Sequence, residues 1–271
     1  MDFKEDDCDI YYIEIEKNLK KKENEENLVN YCINPDSQIK EEDRIMIINW
    51  FFWLQNNQQI NDNCIYLSIK YLDTFLSIYN ENYYNLDILK VTCFFIAQKL
   101  ETTYVFCITD LIKLISNKCN KDDIIDHENF LLKKFNYFIF MVTINDFLHF
   151  FLKNIKKINF EEITEEYFYL CFFLSDISVY NCNFISTKPS LLSSTIIYIV
   201  NIITKKENLW NKSFQKITSY SVEDLKTTTQ IFFQFLEFFD DQYFILLNTK
   251  YSEKLKNFTN VISYINNLKI K

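Results

Sequence analysis

The chain has 271 residues, 37 acidic against 29 basic side chains, a net charge of −8 and a pI near 5.0, a balance that argues against a general nucleic-acid-binding surface and leaves only a local basic patch open. It contains no glycine and two prolines, so a β-rich fold or a glycine-rich phosphate loop is hard to build from it. The length suits one large domain or two modules, and either can bury a sizeable core.

Apolar residues recur at three- and four-residue intervals along most of the chain, which predicts a mainly α-helical protein. A charged lead-in over residues 2–30 holds a helix from Asp9 to about Lys22, after which Pro35 breaks the chain and Asp36 or Ser37 starts a short turn. Five helical segments follow, over 41–56, 62–78, 86–101, 108–117 and 121–136, joined by short polar loops that make successive helices antiparallel neighbours. A second set covers 144–153, 161–179, 189–203, 213–218 and 222–239, with Pro189 placed for a first helical turn. Two copies of one five-helix unit are the simplest organisation, with the boundary near residues 137–142.

The eight cysteines are scattered singly, with no C-x-x-C pair and only His127 and His149 as nitrogen donors, so neither a metal site nor a cofactor is expected. Free thiols in a reducing compartment follow. The N-terminus has no hydrophobic signal region, and the longest apolar run, Leu191 to Ile203, is too short and too polar to span a bilayer; an intracellular protein without membrane association is expected.

One basic residue stands apart. Arg44 is the single arginine, and a guanidinium is the group that grips a carboxylate with two parallel bonds and stays charged when buried. Asp73 is the one acid in the apolar run Cys64 to Tyr79, where an unpaired carboxylate carries a large desolvation cost.

Several stretches resemble the cyclin family, in particular the A/B-type mitotic cyclins. Arg44-Ile-Met-Ile-Ile-Asn-Trp50 is similar to the opening helix of the cyclin box, Lys70-Tyr-Leu-Asp-Thr-Phe-Leu76 to its second helix and Phe95-Ile-Ala-Gln-Lys-Leu-Glu101 to the end of its third. His127 to Tyr137 resembles the fifth helix, and Thr143-Ile-Asn-Asp-Phe-Leu148 the entry to a second repeat. Further on, Tyr220-Ser-Val-Glu-Asp-Leu225 and Lys250-Tyr-Ser-Glu-Lys-Leu255 match more loosely. The resemblance implies an all-α fold of two tandem five-helix cyclin-box repeats preceded by an N-terminal helix. It divides the chain into a lead-in (1–36), a first box (37–140), a second (141–250) and a tail (251–271).

The resemblance also implies a function: a non-enzymatic regulatory subunit that forms a heterodimer with a cyclin-dependent protein kinase and activates it, in cell-cycle control, in the nucleus or cytoplasm. Arg44 and Asp73 take the place of the structural ion pair. Lys99 and Glu128 match the kinase-contacting lysine and glutamate, with Leu100, Tyr137 and Ile10 supplying apolar contact. Met46, Ile47, Trp50, Trp53 and Asp87 match an altered substrate-docking patch for a basic-then-leucine peptide. Thr102 and Val105-Phe106 depart from the family pattern and leave the choice of kinase open. Lys22-Glu23-Asn24 has the form of a ubiquitin-ligase recognition triplet. Two rival readings predict different chemistry: a DNA-binding module of the general-transcription-factor type needs a basic face, and a scaffold without kinase activation needs Arg44 and Asp73 but not Lys99 and Glu128.

Overall fold

The structure is a computed structural model that describes residues 5–26, 28–34, 39–79, 85–158, 163–238, 246–247 and 249–255, with the side chains of 5–11, 156–158 and 238 excepted. Among the described residues every regular element is a helix. The N-terminal helix α1 (Glu5–Glu25) is followed by α2 (Glu41–Gln58), α3 (Asp62–Ile78), α4 (Leu86–Glu101), α5 (Ile108–Leu114) and α6 (Lys121–Lys134). A second five, α7 (Ile144–Ile158), α8 (Glu165–Ser178), α9 (Pro189–Ile203), α10 (Lys212–Thr218) and α11 (Val222–Phe238), completes the fold. The third helix of each five is its hub: α4 packs on α2, α3 and α6, and α9 packs on α7, α8, α10 and α11. The two units meet where α3 crosses α7, and one hydrophobic core runs through both.

Local chemistry explains where the helices begin. Asn61 Oδ1 accepts from the Cys64 amide at 2.8 Å, and Asn85 Oδ1 accepts from Asp87 and Ile88 at 3.1 and 3.2 Å. Asn120 and Asp123 exchange bonds with each other's amides at 2.9 and 2.8 Å. Such caps are worth about 1 kcal/mol apiece. Pro189 sits in the first turn of α9.

Helix ends do without glycine. Lys205 and Asn136 take positive φ at 57° and 50° just past α9 and α6, and each of these ends closes with paired backbone bonds, Lys205 to Ile202 with Lys206 to Asn201, and Asn136 to Lys133 with Tyr137 to Leu132. Ser116 and Asn117, both at φ 57°, do the same after α5, which therefore stops at Leu114 rather than continuing to 117. The second and last helices of the first five likewise differ from expectation by at most two residues. α7 runs to Ile158, five residues beyond the expected end, because no left-handed residue or proline interrupts it. α8 starts at Glu165, where Thr164 Oγ1 caps the Tyr167 amide. The turn expected at Pro35 to Ser37 lies outside the described residues.

α1 is longer than its sequence predicts, and tertiary contacts account for it. Glu23, 5% exposed, accepts from the Ser190 amide and hydroxyl at 2.6 and 2.7 Å. Beyond the helix, Glu26 pairs with Lys70 at 2.5 Å and accepts from the Val142 amide at 3.1 Å. The lead-in is thus a strap across both units rather than a solvated tail.

Candidate protein-binding surface

Arg44 projects from α2 into the junction between the units and is 2% exposed. Its Nε and one terminal nitrogen donate to the two oxygens of Asp73 on α3, both at 2.8 Å, and its other terminal nitrogen donates to the Val179 carbonyl of the second unit at 2.6 Å. Tyr31 from the strap donates its hydroxyl to Asp73 at 2.7 Å. Burial works against the Arg44 charge, but Asp73 more than offsets it and holds the guanidinium above its ordinary value. One ion therefore fastens the strap, α2, α3 and the second unit together. A lysine ammonium has three donors but not the planar fork that reaches two oxygens and a carbonyl at once.

A second buried cluster lies nearby. Lys250 donates to Asp62 on α3 at 2.5 Å and to Asp176 on α8 at 2.8 Å, and Asp176 also accepts from the hydroxyls of Tyr66 and Tyr251 at 2.6 and 2.7 Å. Burial raises the pKa of Asp176, which is 1% exposed, and the adjacent Lys250 draws it back down in part. For Asp62 burial pushes upward as well, and Lys250 prevails and lowers it. The segment after α11 thereby latches the two units to each other.

Outside, the chemistry changes. Lys99 at the end of α4 and Glu128 on α6 pair at 2.5 Å with 40% and 16% of their side chains exposed, and the Lys99 ammonium lies 3.8 Å from the centre of the Phe95 ring. The neighbouring residue His127 turns inward to Thr92 at 3.2 Å, and burial depresses its pKa to about 4, so it stays neutral. Leu100 is half-buried against the core. Tyr137 is 66% exposed and held at φ 59°, an uncommon backbone state for an aromatic residue, and past α4 Tyr104 and Val105 are exposed too. Ile10 lies within α1, but its side chain is outside the described residues.

On the far side of α2, Met46, Trp50 and Trp53 line a groove of about 550 Å³ with Glu42, Ile45 and Leu246. Two of the five expected patch residues are elsewhere. Ile47 is 3% exposed in the core, since consecutive helical residues point about 100° apart and Met46 takes the outer position. Asp87 is committed to Lys90 and Lys118 at 2.5 and 2.6 Å, and Lys90 in turn lies 5.3 Å over Trp50. The Trp50 indole N–H is buried without a partner. The Lys22-Glu23-Asn24 triplet is part of α1, its glutamate bound to Ser190 and its Asn24 accepting from Lys188 at 2.8 Å, so it is not displayed as an extended motif.

Among the described residues no group of three or more potential metal ligands comes together and no helix is long and apolar enough to cross a membrane. Residues 14–139 match the family model "Cyclin, N-terminal domain" and residues 142–263 match "Cyclin, C-terminal domain". The chain belongs to the cyclin family. Cyclin-A3-2 of Arabidopsis thaliana is 24% identical over 225 residues, 83% of this chain and 60% of that protein. Putative cyclin-A3-1 of Arabidopsis thaliana is 26% identical over 200 residues, 73% of this chain and 56% of that protein. The G2/mitotic-specific cyclin C13-1 of Daucus carota is 25% identical over 228 residues, 81% of this chain and 65% of that protein. The chain thus spans somewhat over half the length of these relatives. Among solved structures, a viral cyclin from herpesvirus saimiri superposes with a TM-score of 0.64 at 17% identity, covering 80% of this chain and 95% of the viral one. A chain of the CAK complex from Chaetomium thermophilum bound to ATP-gamma-S superposes with a TM-score of 0.55 at 9% identity, covering 99% and 84%. These two likenesses carry the fold alone.

In this cyclin, sequence reasoning did not single out the Lys250 cluster, although the signal was present. Asp176 is the one acid between Tyr167 and Tyr180, the same lone-carboxylate pattern that marked Asp73. A carboxylate in an apolar helix calls for a cation, and Lys250 supplies it from 74 residues away.

Proposed function

We propose that this cyclin is a non-catalytic regulatory subunit that binds and activates a cyclin-dependent protein kinase, in cell-cycle control, in the nucleus or cytoplasm. The observation that carries the reading is the Lys99 and Glu128 pair, an opposite-charge couple whose lysine is left partly in solvent while the Arg44–Asp73 and Lys250–Asp176 pairs are closed off in the core. Glu128 and the Phe95 ring hold the Lys99 ammonium, and its remaining donors can satisfy a partner's backbone carbonyls. Leu100 and Tyr137, with Ile10 on α1, supply the apolar contact that charges alone do not. The division into 1–36, 37–140, 141–250 and 251–271 belongs to this reading, with the first box carrying the contact and the second bracing it.

Activation is a population shift. A platform that fits only the active arrangement of the kinase's regulatory helix, in which its glutamate meets the catalytic lysine, favours that arrangement by the difference in affinity. Moving a kinase from about 1% to 99% active takes roughly 10⁴-fold preference. The groove at Met46, Trp50 and Trp53 is the place for a docking peptide, with Glu42 at its rim for a basic residue.

Purifying the tagged protein from its source cells and assaying the eluate for protein phosphotransfer tests the reading. A stoichiometric co-eluting kinase, inactive when the cyclin is removed, is the expected result. A co-eluting kinase equally active without it supports the scaffold reading, and retention on DNA with no kinase supports the nucleic-acid reading.

A further inference from the structure

A cavity of about 430 Å³ opens between the end of α3 and α6 and shares no lining residue with the Trp50 groove. Aromatic rings form one wall of it. Phe75 and Tyr79 stack with 4.9 Å between ring centres, and Phe130 stands nearly at right angles to both, at 5.9 and 5.4 Å. His127 adds a fourth ring 5.8 Å from Phe130, and because burial keeps it neutral it does not repel a cation. Phe75 is 1% exposed, while Tyr79 and Phe130 are half-buried.

Two carboxylates line the same cavity. One Asp123 oxygen accepts from the Asn120 amide at 2.8 Å, and the other makes no hydrogen bond among the described residues. Asp126 is exposed and has no hydrogen-bond or ion-pair partner among them. The chain itself shows what these rings attract. The Lys134 ammonium, one turn beyond Phe130 on α6, lies 4.7 Å from the Tyr79 ring centre and 5.3 Å from that of Phe130. Ring faces draw cations through their quadrupole, and most strongly where water is excluded.

We propose that this cavity binds a mono- or dimethylated lysine side chain of a partner protein. Each wall selects one part of that group. The rings attract the positive charge and pack against its methyl groups, and the carboxylates accept its N–H. An unmodified lysine ammonium is strongly hydrated and offers the rings no methyl group, whereas a trimethylated one has no N–H for Asp123 or Asp126. A partly methylated ammonium satisfies both walls, and a protein of net charge −8 draws cationic segments toward it.

The inference does not depend on the kinase reading. Asp123, His127, Phe130 and Lys134 follow one another at four-, three- and four-residue steps and share one stripe of α6, whereas Glu128 projects about 100° away from His127, toward Lys99.

The test is an NMR-monitored titration of the purified full chain with three peptides of one Ala/Ser sequence. The central residue is lysine, dimethyl-lysine, or the neutral analogue with carbon in place of the side-chain nitrogen. The dimethyl-lysine peptide is expected to bind roughly fivefold more tightly than either of the others and to shift the resonances of Tyr79 and Phe130. Tyr79→Leu and Asp126→Asn should each remove most of that preference. Asp126 is exposed, so its variant decides the matter even if Tyr79→Leu folds poorly. Equal binding of the neutral analogue or of unmodified lysine would overturn the proposal, as would an unchanged preference in Asp126→Asn. Choline serves as a further probe, and tighter binding of choline than of the dimethyl-lysine peptide would equally overturn it by assigning the cavity to a free small cation.

Discussion

Two ion pairs in the first repeat use similar side chains for opposite ends. Arg44 and Asp73 are 2% and 6% exposed and share bonds with Tyr31 and Val179, so all three guanidinium nitrogens and both carboxylate oxygens are engaged inside the molecule. Lys99 and Glu128 are 40% and 16% exposed, and the lysine has donors left over. Burial decides the difference. Removing one partner of a desolvated pair strands a charge in the core, whereas removing one partner of an exposed pair returns the other to water. The first arrangement is built to hold a shape, and the second is available to a partner.

The comparison breaks most visibly at the buried ion. Asp73→Asn should lower unfolding stability by about 3–5 kcal/mol in denaturant titration, because Arg44 is left charged and uncompensated. Arg44→Lys should cost about 2 kcal/mol, keeping the charge and losing the fork. Lys250→Met should fall between them, at about 2–4 kcal/mol, since Asp176 is buried but can take up a proton.

A pH series tests burial in the same helix, at His127 of α6. His127 faces inward, and burial lowers its pKa from 6.5 to about 4. Between those values the unfolded chain binds a proton that the folded chain refuses, so the histidine's contribution is fully present above pH 6.5 and is lost as pH falls toward 4. His127→Gln should flatten that part of the stability profile by about 3 kcal/mol. The difference between the melting curves of His127→Gln and the unaltered chain across this pH range checks the assignment.

The organisation into two five-helix units with a helix in front was legible from the sequence because start signals are local. Pro189 marks the first turn of α9 whatever surrounds it, and the three- and four-residue apolar spacing marks the other helices. What fixes α1 is not local: Glu23 reaches Ser190 and Glu26 reaches Lys70 and Val142, and a charged lead-in gives no sign of partners so distant. The same division holds at the candidate site. Arg44 stood out by rarity and Asp73 by its apolar surroundings, and the fold places them in contact. Lys250 is one lysine among many, so its link to Asp62 and Asp176 becomes visible only in three dimensions. At the groove, the sequence marked Met46 and Trp50 but could not show that Ile47 turns inward or that Asp87 is held by two lysines.

The smallest expected change in stability accompanies the largest expected change in function. The charge-reversal double variant Lys99→Glu, Glu128→Lys should alter unfolding stability by less than about 1 kcal/mol, since the pair is partly in solvent and is re-formed with opposite sense. Co-purification of this variant and the unaltered chain from source cells, with the folded state of both checked by melting temperature, measures the central claim directly. A kinase recovered with the unaltered chain and lost from the equally stable variant is the expected outcome; the same kinase recovered equally with both would contradict it.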